Sequence, residues 1–322
     1  MNVVQLVRTP DCDSGGRGFE SRLSPYAGLT CGLKHRNMDQ RIINLFDEYT
    51  HKPLRREEFI KRLTAVTGST AAAMALLPLL EVNYAKAGTI SFQDDRLVTE
   101  PVSYPGDGTE MKGYVARPKA NGVYPAVVVI HENRGLNPHI EDVARRAALA
   151  GYLALAPDAL SPQGGTPADA DQARDMFQKL DAAKNLNNFI KAFDYLRSRK
   201  DCNGKMGVVG FCWGGGMVNQ LAVNVPELRA AVAFYGRQPD SADVSRIKAA
   251  VQLHYAGADE RIDAGIPAYE EALKKANVKY ELYMYEGAQH AFHNDTAPTR
   301  YNEAAAKLAW ERTLQFFQKN LS

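Results

Sequence analysis

The pentapeptide Gly210-Phe211-Cys212-Trp213-Gly214 follows the apolar run Met206 to Val209 and opens into Gly215, Gly216 and Met217. A cysteine flanked in this way sits on a sharp corner between a buried strand and a helix, the arrangement called a nucleophile elbow, with sulfur where serine is usual. The glycines carry the constraint. The corner residue is held in a strained turn, and side chains two positions before and after it would collide with the neighbouring strand and helix. A thiol placed there also faces a helix N-terminus, whose partial positive charge favours thiolate. The bare pattern fits an inert core cysteine equally well, so the decision rests on finding a base and its orienting acid.

Both occur downstream. Residues 250–255 (AVQLHY) read as a buried strand running into Ala256-Gly257-Ala258-Asp259-Glu260, and residues 280–285 (YELYMY) read as another running into Glu286-Gly287-Ala288-Gln289-His290. Asp259 and His290 therefore lie on loops past the carboxyl ends of strands, where active sites of open parallel sheets assemble. Glu260 is an alternative acid, and a turn-forming role is open to Asp259 as well. His254 falls inside its strand and His293 beyond Phe292, so His290 is the preferred base; a solvated loop histidine is its other reading. The order Cys212, Asp259, His290 is the nucleophile, acid, base order used on hydrolase sheets.

Short β-rich runs at 126–130, 152–156, 206–209, 230–234, 251–255 and 281–285 alternate with helix-periodic segments at 140–150, 185–198, 217–223, 268–276 and 302–317. That alternation predicts the α/β class, a doubly wound and mostly parallel sheet with helices on both faces. Residues 98–104 and 111–117, separated by Pro105-Gly106-Asp107-Gly108, predict an antiparallel hairpin at its edge. Residues 96–322 suffice for a single catalytic domain.

From about residue 96 to the end the chain resembles the dienelactone hydrolase (carboxymethylenebutenolidase) family of α/β-hydrolases. The resemblance is carried by Val127 to Glu132 (VVVIHE) with Asn133-Arg134-Gly135-Leu136, Gly151 to Asp158 (GYLALAPD), Gly204 to Gly215 (GKMGVVGFCWGG), Ala233 to Gly236 (AFYG), Gly257 to Asp259, and His290 to Phe292. Carried over by position, it implies Cys212 as nucleophile, His290 as base, Asp259 as its orienter, and Glu132 as a carboxylate touching the resting cysteine. A carboxylate beside a thiol suppresses thiolate, and the resemblance implies that this is a safety, the thiol being released from the glutamate only when substrate arrives. A salt bridge from Glu132 to Arg134 or to a nearby helix is the structural alternative. The backbone N–H groups of Asn133 and Trp213 form the expected oxyanion hole. The expected reaction is hydrolysis of a carboxylic ester or lactone through a thioester, with His290 activating water.

The chain departs from the family at the substrate. Members grip a substrate carboxylate with two arginines, and at the corresponding places stand Ala170 and Asn294. Arg174 or Arg300 could substitute, although a solvated helix or loop face is their default reading. The expected substrate is accordingly a small ester or lactone other than the anionic dienelactone.

Composition closes off other classes. A formal charge of +2 with 24% charged residues gives no electrostatic case for nucleic acid. The apolar stretch around Met74 to Leu80 is broken by Pro78 and falls short of the ~20 residues of a stable membrane span. The cysteines at 12, 31, 202 and 212 have no metal-ligand spacing, and neither cofactor nor metal is expected. Two readings of other classes stay open: a catalytically silent binding protein on the same fold, and a thiol redox protein using Cys212, against which stands the lack of a C-x-x-C partner. A monomer or homodimer is expected.

Residues 1–37 lack hydrophobic period and read as a spurious or disordered extension, which would put the true start at Met38. Residues 38–95 read as a helical leader or arm. Arg55-Arg56, then Phe59 and Ile60, then 64–80, then Ala85-Lys86-Ala87 imitate a twin-arginine export leader with an A-x-A cleavage site, the aromatic standing one residue late. Location is thus cytoplasmic, or exported if the leader at 55–87 works.

Overall fold

The structure, a computed structural model, describes residues 4–7 by their backbone, 38–84 and 88–322. Its compact units divide between Leu80 and Glu81. The larger is built on a nine-stranded sheet comprising β1 (Val4–Val7), β2 (Leu97–Pro105), β3 (Glu110–Pro118), β4 (Tyr124–Ile130), β5 (Leu153–Pro157), β6 (Cys202–Phe211), β7 (Ala230–Phe234), β8 (Ala250–Ala256) and β9 (Tyr280–Tyr285), in the order β1-β9-β8-β7-β6-β4-β5-β3-β2. All neighbouring strands from β1 to β5 along that order are parallel. β3 pairs antiparallel with β5 and with β2, which gives the expected edge hairpin. Apart from the strand Val4–Val7, which pairs with Leu282 to Tyr285, the extension over 1–37 lies outside the described residues.

The central strands read as unbroken apolar runs because both of their faces are covered. Successive side chains alternate between layers. Val128, Ile130, Val208 and Leu253 join a core with residues of the helices α6 (Ala182–Ser198), α7 (Trp213–Asn224) and α9 (Ile266–Lys275). Val127, Val129, Val209, Phe211 and Val232 join the opposite core with α4 (Pro138–Leu149) and α10 (Glu303–Leu321). Two short helices had no legible period in the sequence: α5 (Ala170–Phe177), which Asp169 caps by accepting from the Gln172 N–H, and α8 (Glu260–Asp263).

What positions the site is the order β6-β4-β5. The chain leaves β4 toward β5 on one side and returns to β6 on the other, so the loops after β4 and β6 open a crevice at a topological switch point. Ile130 is level with Gly210 across the pair, so the two loops begin side by side.

The smaller unit contains α1 (Gln40–His51), α2 (Arg56–Thr67) and α3 (Thr70–Leu80) around Phe46, Tyr49, Phe59, Leu63, Leu77 and Leu80. Arg55 is the N-cap of α2, and Gly68, in the left-handed region, ends it. α2 and α3 are bent by 114° to each other, and no single described helix is long and apolar enough to cross a membrane. Ala85-Lys86-Ala87 lies outside the described residues.

Two histidines of the larger unit are held neutral by the core. His254 is fully buried in β8 between Gln252 Oε1 (2.9 Å) and the Tyr285 hydroxyl (2.8 Å), and His293 stacks on Phe211 with ring centroids 4.8 Å apart. Burial drives both well below the ordinary 6.5. Because the folded values are depressed, the stability these neutral rings contribute is present above 6.5 and is lost as the pH falls below it. The melting temperature is expected to drop on acidification below that point, and to drop less in His254→Gln; parallel curves for the two proteins would contradict this account.

Candidate active site

Cys212 caps the N-terminus of α7 with φ 56° and ψ −115°, a left-handed conformation costly for a residue with a side chain. The packing around it explains how the strain is sustained. Its N–H donates to the Phe234 carbonyl (3.0 Å) and its carbonyl accepts from the Gly216 N–H (3.1 Å). A Cβ on Gly210 would lie 2.3 Å from the Gly214 oxygen, and one on Gly214 would lie 2.5 Å from the carbonyl oxygens of both Ile130 and His131. The elbow is therefore clamped between its own helix and the end of β4, with Cys212 buried to 6% exposure.

Asp259 follows β8 and His290 follows β9, as their strands dictate. His290 Nδ1 donates to Asp259 Oδ2 at 2.5 Å, and both side chains are buried. A ring nitrogen of His290 lies within 4.8 Å of the Cys212 sulfur, and Nδ1 is engaged by Asp259. Glu260 instead starts α8 on the surface. One helical turn after Asp259 comes Asp263, whose N–H donates to the Asp259 carbonyl (2.9 Å). Burial first, and then the Asp259 carboxylate, push the Asp263 carboxyl up to about 7.

Glu132, at the end of β4, is 9% exposed. Asn294 Nδ2 donates to its Oε2 (2.7 Å), and the Tyr235 hydroxyl lies 3.5 Å from its Oε1. Arg134, the partner offered by the alternative reading, faces Asp171 instead at 3.6 Å. The Glu132 loop is itself pinned by His131, which is fully buried: Nε2 accepts from the Ala159 N–H (3.1 Å) and Nδ1 donates to the Glu132 carbonyl (2.6 Å). Burial pulls His131 below its ordinary value, so this single neutral tautomer serves both bonds.

Of the two expected oxyanion donors, Trp213 is the first residue of α7, where an N–H has no acceptor within the helix, and Asn133 follows Glu132 on the facing loop. The Trp213 ring stacks on His131 (5.6 Å, 12°) and meets Phe177 edge-on (5.0 Å), so α5 supplies an aromatic wall beside the elbow.

The default reading of Arg174 and Arg300 as solvated side chains is corrected: they are 5% and 7% exposed. Arg174 is drawn in by Asp175 (2.7 Å) and Asp171 (4.0 Å), partners that no surface periodicity announces. Ala170 opens α5 and carries no charge there, while Asn294 is bonded to Glu132.

Tyr235 is a site residue to which the sequence alone assigned no role. It sits past the end of β7 with φ 39°, fully buried, its ring 5.0 Å from His290. Burial, then Glu132 and Cys212, raise its hydroxyl well above the ordinary value, so it stays a protonated donor. Its signal was the AFYG run, a buried strand ending in tyrosine and glycine. Ala291, next to His290, also has positive φ (66°), so three of the four non-glycine residues of this kind among those described lie in or beside the site. Strain gathered in this way marks functional positions.

Comparison with known proteins shows the family to which the chain belongs. A family model described as the dienelactone hydrolase family matches residues 111–321. A carboxymethylenebutenolidase candidate of Salmonella typhi is 33% identical over 270 residues, covering 79% of this chain and 96% of its own. Among solved structures, a dienelactone hydrolase candidate from Klebsiella pneumoniae superposes with a TM-score of 0.64 at 31% identity, covering 69% of this chain and 99% of the other. A dienelactone hydrolase-like promiscuous phosphotriesterase from metagenomic libraries gives 0.66 at 25% identity, covering 70% and 100%.

Two outcomes are expected. Gly214→Ala, which drives a methyl into the two carbonyls at the end of β4, should cost about 3 kcal/mol, roughly 6–12 °C in melting temperature; an unchanged melt would show that the elbow is not clamped there. Asp263 has a folded value raised above the ordinary 3.8, so the stability present below 3.8 is lost as the pH rises through about 7. Asp263→Asn should flatten that loss, which melting curves across the interval would read.

Proposed function

This chain belongs to the dienelactone hydrolase family, and from that premise we propose that it hydrolyses carboxylic esters or lactones through a thioester on Cys212. The observation that supports this most is the approach of His290 to the Cys212 sulfur with Nδ1 engaged by Asp259. His290 takes the thiol proton, and the thiolate adds to the substrate carbonyl. The developing oxyanion is held by the N–H groups of Trp213 and Asn133. The carbon–oxygen bond breaks as His290 returns the proton to the leaving alkoxide, giving alcohol and thioester. Water, deprotonated by His290, then adds to the thioester, the carbon–sulfur bond breaks, and the acid leaves with Cys212 restored. Asp259 holds the imidazole in the tautomer that each step needs.

Glu132 acts in this scheme as a carboxylate gate on the resting thiol. Its oxygens are held by Asn294 and Tyr235, groups that stay uncharged, so no arginine at these positions contributes to substrate recognition. A neutral ester or lactone suits that arrangement better than an anionic one. A catalytically silent binding protein would not need the strain concentrated at Cys212, Tyr235 and Ala291. A disulfide switch between the two described cysteines is excluded by distance, since Cys202 and Cys212 stand at opposite ends of the ten-residue β6, about 33 Å apart.

Cys212→Ala is expected to lower kcat/KM for p-nitrophenyl acetate by about a thousandfold or more, and wild type quenched with acid during turnover to carry an acyl adduct on the Cys212 peptide by mass spectrometry. A loss of less than about tenfold in Cys212→Ala would refute the assignment. A dialkyl p-nitrophenyl phosphate belongs in the same panel, given the promiscuous phosphotriesterase among the relatives.

A further inference from the structure

Ahead of β2, and ahead of the region that the family model matches, the backbone of 81–84 is moored on the site. The Asn83 N–H donates to the Thr296 carbonyl (2.8 Å). Thr296 in turn donates through its N–H (3.0 Å) and hydroxyl (2.6 Å) to Asn294 Oδ1, and Asn294 Nδ2 donates to Glu132 Oε2 (2.7 Å). A continuous run of hydrogen bonds therefore joins the residue before Tyr84 to the carboxylate beside the elbow. The inner members of that run, Thr296 and Asn294, are 0% and 2% exposed, while Tyr84 at its outer end is half-buried. Burial pushes the Tyr84 hydroxyl up to about 12, and the charges acting on it are those of Arg134, Glu132 and Arg300. The mooring at Asn83 places the phenol within electrostatic reach of the loop that carries Glu132 and Arg134.

We propose that Tyr84 is a specificity-determining wall of the substrate pocket, supplied from ahead of the matched family region, and that it limits the bulk of the group that reaches Cys212. The mooring explains why a residue outside the sheet's loops can hold a fixed place: the Asn83–Thr296 bond ties it to the loop carrying His290 and Asn294, so it is registered to the same frame as the base. A ring wall rejects by size, so its removal changes which reagents enter more than it changes the chemistry they meet. The proposal rests on reading Cys212 as the buried reacting group, and its test is chosen to read access separately from turnover.

In the full-length protein, Cys212 in wild type, Tyr84→Ala and Tyr84→Trp is alkylated with small iodoacetamide and with bulky N-(1-pyrenyl)maleimide, labelling being followed on the Cys212 peptide by mass spectrometry with the Cys202 peptide as reference. Tyr84→Ala is expected to raise the ratio of bulky to small labelling rates at Cys212 by about tenfold, the scale of a pocket enlarged by a methylene or more. Tyr84→Trp should lower it, and the ratio at Cys202 should hold. In parallel, kcat/KM for p-nitrophenyl octanoate relative to acetate should rise by a similar factor in Tyr84→Ala, chiefly through KM. Ratios at Cys212 unchanged in both variants, or an equal rise at Cys202, would overturn the proposal. If no ester is turned over by wild type, the hydrolase reading fails while the labelling ratios still decide the role of Tyr84.

Discussion

The structure depends on a contact that leaves no room for a single carbon atom. Gly214 lies so close to the last carbonyls of β4 that a methyl there would sit 2.5 Å from two oxygens. That closeness presses the start of α7 against the strand at the switch point and holds Cys212 in a conformation it would not choose alone. The same contact fixes the gap between the loops after β4 and β6, which bear Glu132 and the proposed nucleophile. The sheet thus determines the spacing of the site before any side chain is considered, and the remaining loops bring Tyr235, Asp259 and His290 to the same edge because each follows the carboxyl end of its own strand.

Within that frame the electrostatics are unusual for a site with buried arginines nearby. Glu132 is bound by an amide and faced by a phenol, while Arg134 and Arg174 share Asp171 and Asp175. An amide donor stabilises a carboxylate without adding a mobile charge that could pull a substrate anion inward. The aromatic wall of Trp213 and Phe177 lies on the α5 side, where an anion grip is absent at Ala170. Glu132 itself meets an amide and a phenol, with the Trp213 and Phe177 rings beside the elbow, which fits the proposed preference for neutral acyl compounds.

Much of this was legible in the chain. The strands, the elbow and the edge hairpin followed from apolar runs bounded by glycine and turn residues, because strands buried on both faces and tight turns leave local signatures. Cys212, Asp259 and His290 could be singled out because each stands just past such a run, and Glu132 through the family resemblance. What escaped was set by partners distant in sequence. Asn294 looked like a missing arginine until Glu132 was found beside it, 162 residues away. Arg174 looked solvated because its burial depends on how α5 lies against the crevice, and eight residues are too few to display a period. Tyr235 was within a quoted motif, but only the packing of β7 beside β6 shows that its ring meets His290.

His131 has a consequence for how the molecule would respond to its surroundings. Its ring accepts one bond from Ala159 beyond β5 and donates another to the loop carrying Glu132, so it works as a rivet between adjacent strand ends and functions only in the neutral state. A second ring proton would turn the Ala159 contact into two opposed N–H groups. Protonation of that ring would therefore act directly on the thiol's surroundings, through the loop that carries Glu132 and the Trp213 ring stacked on the imidazole.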